Sequence, residues 1–143
     1  MYNRNVVVLI TNSKNFYLQL RDNDKSIPYA GTWGFFGGGI YPSESSFTAA
    51  KRELYEELNI KNFKNLSYQF TYFQNFSSTI FYVYKFQTNL IYFSVNEGIE
   101  GNFFNYLDFK KRMKKSKKNK FIYKIADNEV MEKFFRKLYY VLW

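Results

Sequence analysis

The sequence predicts an α/β fold in which a mixed β-sheet is flanked by helices. Apolar residues alternate on a two-residue period from Leu66 to Gln74 and again from Thr79 to Thr88, the pattern of strands with one buried face. From Ser46 to Leu58 the apolar positions Phe47, Ala50, Leu54 and Leu58 fall three or four apart, the period of a helix with one buried side. Strand-like and helix-like stretches interleave without a regular βαβ repeat, which points to helices layered on a sheet of mixed strand direction. At 143 residues and 46% apolar content, the chain is expected to form one domain, 1–143, around one core.

The elements follow in order. Val6 to Ile10 and Asn15 to Arg21 read as strands joined by the turn-prone Thr11-Asn-Ser-Lys14. A polar loop, Asp22 to Ser26, leads to Pro28 and the glycine-rich run Gly31-Thr-Trp-Gly-Phe-Phe-Gly-Gly-Gly39, where backbone can come close to a ligand or a neighbouring strand. Pro42-Ser-Glu-Ser45 is a turn that starts the helix at Ser46, and Asn75-Phe-Ser-Ser78 is the turn of a hairpin between the two alternating strands. Asn89 to Ser94 and Phe103-Phe104 are further strand candidates. Val130, Met131, Phe134, Phe135, Leu138, Val141 and Leu142 predict a last helix capped near Asp127.

Composition excludes whole classes of chemistry. Without cysteine there is no disulfide, thiolate metal site or cysteine nucleophile, and without histidine there is no imidazole base or ligand. Bases and metal ligands must be carboxylates, which suit hard cations such as Mg²⁺ or Mn²⁺. No run approaches the ~20 apolar residues of a membrane helix, so no membrane partner and a cytoplasmic location are expected.

The stretch Arg52-Glu-Leu-Tyr-Glu-Glu-Leu58 places three acids within five positions of a chain whose formal net charge is +9. Spacings of three and four bring Glu53, Glu56 and Glu57 together, expected on the face opposite Leu54 and Leu58. Like charges at that spacing repel, and the helix dipole near the C-terminal turns repels them again. A bound cation would relieve both costs.

Read outward, Gly38, Glu44, Arg52-Glu53-Leu54, Glu56-Glu57 and Asn59-Ile60 closely resemble the Nudix box of the Nudix hydrolases. Asn59 stands where the family usually has glycine at the helix end; asparagine is the commonest other residue to tolerate a left-handed conformation. Leu18 to Arg21, Trp33 to Gly39, and Asn96-Glu97-Gly98 followed by Phe103-Phe104 also look like segments of bacterial members.

The resemblance implies a Nudix-like α/β/α sandwich and a Mg²⁺-dependent hydrolase, with Mn²⁺ as a substitute, that cuts a phosphoanhydride of a nucleoside diphosphate linked to another group. It implies Glu53, Glu56, Glu57 and the Gly37 carbonyl as metal ligands, and Glu56, Glu57 or Glu97 as the base that deprotonates the attacking water. Arg52 matches the family's structural arginine, which orients a neighbouring glutamate and pairs with the residue at Glu44. Arg21 is a candidate for substrate phosphates. Trp33, Phe35, Gly38 and Gly39 are candidates for substrate binding, and Trp33, Phe35, Tyr29 and Phe104 are the candidate platforms for stacking on a base.

The intact box favours attack at phosphorus over attack at a sugar carbon. The proline that ADP-ribose hydrolases of the family carry after the box is absent, since the only prolines are Pro28 and Pro42. Nucleoside triphosphates, oxidised nucleotides included, and nucleotide sugars are the expected small-molecule substrates. Lys110 to Lys120, with Lys124, carries nine positive charges and no acid, leaving twelve basic and twelve acidic residues elsewhere. The reading preferred for it is a solvated connection; RNA 5′-end processing is the alternative it hints at, and a nucleotide-sensing domain without catalysis is a further one. A homodimer is an assembly the fold family allows.

Overall fold

In the computed structural model, residues 2–12, 15–27, 29–89 and 98–126 are described. The last helix expected from Asp127, most of the Asn89 to Ser94 strand candidate, and Glu97 lie outside them.

Strand β1 (Asn3–Asn12) is the centre of the sheet. Its run Val6 to Ile10 is buried throughout, with Val6, Val8 and Ile10 entering one core cluster and Val7 and Leu9 the other. A strand covered on both faces reads as continuous apolar sequence. Along one edge it pairs in parallel with β6 (Thr79–Gln87), from Asn3 opposite Thr79 to Thr11 opposite Gln87.

The other edge of β1 is shared. Strand β2 (Asn15–Leu20) pairs only with Ile10 to Asn12, and β4 (Phe36–Gly39) takes Asn5 to Val8. Strand β3 (Trp33–Gly34) pairs with Leu20 and Gln19 of β2. The first two strands therefore diverge after three pairs, and the glycine-rich segment fills the fork between them. Its two short strands were not predicted, because two to four residues carry no readable period. Gly37 takes φ +146, and a side chain there would run into the backbone of Val6; only glycine fits this approach.

β5 (Leu66–Gln74) forms the expected hairpin with β6, and β7 (Glu100–Phe104) lines the outer edge of β2. Helix α1 (Ser46–Leu58) packs Ala49, Ala50, Leu54 and Leu58 on the Val6–Val8–Ile10 face. Phe47, expected on that buried side, is exposed and lies against Tyr84 with ring centres 5.9 Å apart. The short α2 (Tyr106–Lys111) packs Phe109 on the opposite face with Phe16, Trp33, Phe104 and Ile125. Helix, mixed sheet and helix form the predicted layers.

The segment expected to be a solvated connection is folded. β8 (Met113–Lys115) and β9 (Ile122–Lys124) form a separate two-stranded sheet. It is tied to the main one where Trp33 Nε1 donates to the Lys114 carbonyl at 3.1 Å and Ala126 N to the Trp33 carbonyl at 2.9 Å.

Candidate active site

Helix α1 begins and ends through local chemistry. The Ser45 hydroxyl accepts from Thr48 N at 3.1 Å, capping the first turn. At the other end Asn59 adopts φ 57 and ψ 26, and its N–H reaches the Tyr55 carbonyl at 2.9 Å. This is the left-handed cap that the asparagine was expected to supply.

One correction concerns which way the acids face. Glu53 and Glu57 do not lie opposite Leu54 and Leu58: they are 8% and 2% exposed, inside the buried arc with Ala50 and Leu54. Only Glu56 of the three is exposed. At ~100° per residue Glu53 and Glu57 fall within ~60° of Ala50, so the helix turns two carboxylates toward the sheet. A carboxylate removed from water costs several kcal/mol unless it is paired or bound to a cation.

Arg52 gathers this face. Its Nε donates to Glu44 Oε2 at 3.1 Å and Nη2 to Glu44 Oε1 at 2.5 Å, a bidentate pair. Nη2 also reaches the Gly39 carbonyl at 2.9 Å, while Nη1 donates to Glu53 Oε1 at 2.9 Å and to Glu56 Oε2 at 3.4 Å. The Tyr41 ring lies 4.0 Å from the guanidinium carbon, and Tyr41 N donates to Glu44 Oε1 at 3.0 Å. The Arg52 hydrogen bonds, with the one from Tyr41, hold the Glu44 carboxyl below the ordinary carboxylate value. Glu44 in turn raises the affinity of Arg52 for its proton.

β4 brings bare backbone to the same place. A methyl on Gly38 would come within 2.5 Å of Glu53 Oε1, so the missing side chain makes room for the carboxylate. Glu57 Oε2 is fully buried. The donors assembled are carboxylate oxygens without nitrogen or sulfur, which fit a hard divalent cation. Among the described residues no three acidic side chains are drawn together as a ready cation cage. Arg52 stands between two of the candidates, and its longest contact is the one to the exposed Glu56.

The substrate candidates separate. Trp33 and Phe104 are 0% exposed, with ring centres 5.1 Å apart in the core on the face opposite α1. Neither is a stacking platform here; the sequence reading of Trp33 as substrate-binding is corrected by its burial. Phe35 is half-buried against the same cluster, Tyr29 is exposed with φ 55, and Arg21 is half-buried at the end of β2. Two members of the network that are not signature residues of the box were missed by the sequence reading, the Tyr41 ring and the Gly39 carbonyl as an acceptor; an aromatic just before Pro42 is too weak a signal to find them.

The NUDIX domain model matches residues 1–124. The chain belongs to the Nudix family. Its structure is similar to MutT from Methanosarcina mazei Go1, with a TM-score of 0.58 and 26% identity over 73% of this chain and 77% of that one. It is also similar to the NUDIX domain of Shewanella oneidensis NrtR complexed with ADP-ribose, with a TM-score of 0.68 and 14% identity, covering 96% and 89% of the two chains. A third neighbour is a bifunctional NMN adenylyltransferase/ADP-ribose pyrophosphatase from Francisella tularensis, complexed with AMP and a manganese ion. There the TM-score is 0.57 and the identity 19%, covering 74% of this chain and 34% of that one. No curated protein matches the chain. No helix among the described residues is long and apolar enough to cross a membrane.

Proposed function

We propose that this Nudix domain hydrolyses a phosphoanhydride bond in a nucleoside diphosphate linked to a further group, a nucleoside triphosphate or a nucleotide sugar, by attack of water at phosphorus. The observation that carries the reading is the Arg52 network, which holds Glu53 against the bare backbone of β4 and reaches Glu56, on a helix whose next turn carries buried Glu57. An acidic face that is expensive to bury gains a purpose if a cation completes it.

A Mg²⁺ ion, or Mn²⁺ in its place, held by Glu53, Glu56, Glu57 and the Gly37 carbonyl would offset charge on the phosphoryl oxygens and lower the pKa of water. The protein's own part is positioning. Arg52 holds the Glu53 carboxylate toward β4, and the positive φ of Gly37 within β4 sets the direction of its carbonyl. Glu56 or Glu57 accepts the proton of the attacking water, with Glu97 as the third candidate base. Arg21 binds phosphate oxygens and Phe35 contacts the base. The AMP and ADP-ribose named for two neighbours support a nucleotide-derived substrate.

The test is hydrolysis by the purified protein with and without Mg²⁺ across nucleoside triphosphates, 8-oxo-dGTP, nucleotide sugars and dinucleoside polyphosphates, products being separated chromatographically. One preferred substrate, cleaved only with metal and spared by Glu57→Gln, is the expected result. Turnover unchanged in Glu57→Gln, or no turnover with any metal, would overturn the reading.

A further inference from the structure

We infer that the β8–β9 hairpin is a docking surface for single-stranded nucleic acid, separate from the α1 carboxylates. Trp33, Phe109 and Ile125, which anchor this segment, belong to the core cluster opposite the one that α1 covers.

The hairpin is built to display cations. Pairing sets Met113 opposite Lys124 and Lys115 opposite Ile122, all four exposed, while Lys114 and Tyr123 between them are half-buried. Half-buried Lys114 Nζ is spent on Asp108 Oδ2, at 2.8 Å, and the Phe103 carbonyl, at 2.6 Å. At the tip Lys117, Lys118 and Lys120 are exposed beside Phe121 and Ile122, which are 69% and 66% exposed.

That tip is rigidly fastened. Glu100 of β7, itself buried, accepts from the Ser116 hydroxyl, from Lys117 N at 3.1 Å and from Lys118 N at 3.2 Å. Asn119 Oδ1 accepts from Phe121 N at 3.0 Å and Asn119 Nδ2 donates to the Tyr123 hydroxyl at 2.8 Å. Lys120 takes the left-handed φ of 68, a strained choice for a lysine. Holding like charges together in a fixed turn is unfavourable unless a polyanion neutralises them.

A polyanion with flat apolar faces fits both halves of the display: phosphates for the lysines, bases for Phe121. Stacking of a base on an exposed aromatic and release of counterions from the backbone are the two terms of single-strand binding. An anionic membrane fits less well. Met113 and Ile122 are each paired with a lysine rather than with each other, so the apolar surface at the tip is confined to the neighbouring Phe121 and Ile122 and is flanked by lysines.

The probe is a labelled single-stranded RNA dodecamer with a 5′-hydroxyl, titrated by fluorescence anisotropy at several salt concentrations. It offers no phosphoanhydride, so its binding is independent of the hydrolase reading. Binding at low salt is expected, weakened about tenfold or more in Phe121→Ala. In the triple variant Lys117→Gln, Lys118→Gln, Lys120→Gln the slope of log affinity against log salt should shrink by about 2. Lys117 and Lys118 hold Glu100, and Lys120 the Ser116 carbonyl, through backbone N–H groups, so their side chains can be changed with the turn intact, and circular dichroism checks that it is. Absence of binding at low salt, indifference to either variant, or equal retention on phosphatidylserine vesicles would overturn the inference.

Discussion

Arg52 donates to acceptors on four other residues, and its planar fork is what lets it do so. Lysine has neither the fork nor the number of fixed donors. Arg52→Lys is expected to lower metal-dependent turnover at least tenfold and, by depriving buried Glu53 of this donor, to cost about 1–3 kcal/mol in urea unfolding. Its loss should also alter the acid limb of stability. Because Arg52 and Tyr41 N depress the Glu44 carboxyl in the folded chain, Glu44 contributes stability above its ordinary value of 4.5 and loses it as pH falls through the folded value. In Arg52→Ala that loss should shrink, which a series of thermal melts from pH 6 downward, about the range where carboxylates titrate, would show. Glu100 behaves the same way for another reason: burial works to raise its pKa, but hydrogen bonds from Ser116, Lys117 and Lys118 outweigh it and leave it lowered.

At the scale of elements, the juxtaposition of α1 and β4 is open to a single methyl. Gly38→Ala meets the far end of the Glu53 side chain rather than backbone. The fold is expected to survive, with a shift of no more than ~1 kcal/mol, while turnover falls as Glu53 is pushed aside. Asn59→Gly should do the opposite, stabilising the helix end by up to ~1 kcal/mol with turnover unchanged, as measured by chemical denaturation. The bounds of α1 were legible because both ends are signalled locally, by Ser45 and Asn59. The β5–β6 hairpin was legible because nine-residue strands show their period. β3 and β4 were not, being too short to alternate. The orientation of Glu53 and Glu57 was misread for a sound physical reason: charged residues are placed on the solvent side by default, and only the sheet and Arg52 reverse that. The basic segment was misread because its order comes from Glu100 and Trp33, distant in sequence, and not from its own composition.

At the scale of the whole molecule, β1 is paired along both edges for most of its length, and its run Val6 to Ile10 is buried on both faces. Its amides from Val6 to Ile10 are therefore expected to exchange with solvent only through global unfolding, whereas those of β8 and β9 should exchange through local opening. Hydrogen exchange read by mass spectrometry would check the contrast, and equal protection of the two regions would contradict it. The layering of helices about a mixed sheet follows from sequence periodicity, but the order of strands does not. The divergence of β1 and β2, and the parallel partnership with β6, depend on contacts that no local signal encodes.

That partnership has a cost in time. Asn3 finds its opposite number, Thr79, only 76 positions later. At the ribosome's pace of roughly 5–20 residues per second, the Val-Val-Val-Leu-Ile run would wait on the order of 4–15 seconds for the strand that shelters it. Newly made chains should spend that interval as clients of whatever holds sticky nascent segments apart, and slowing translation between residues 12 and 79 should raise the fraction lost to aggregates.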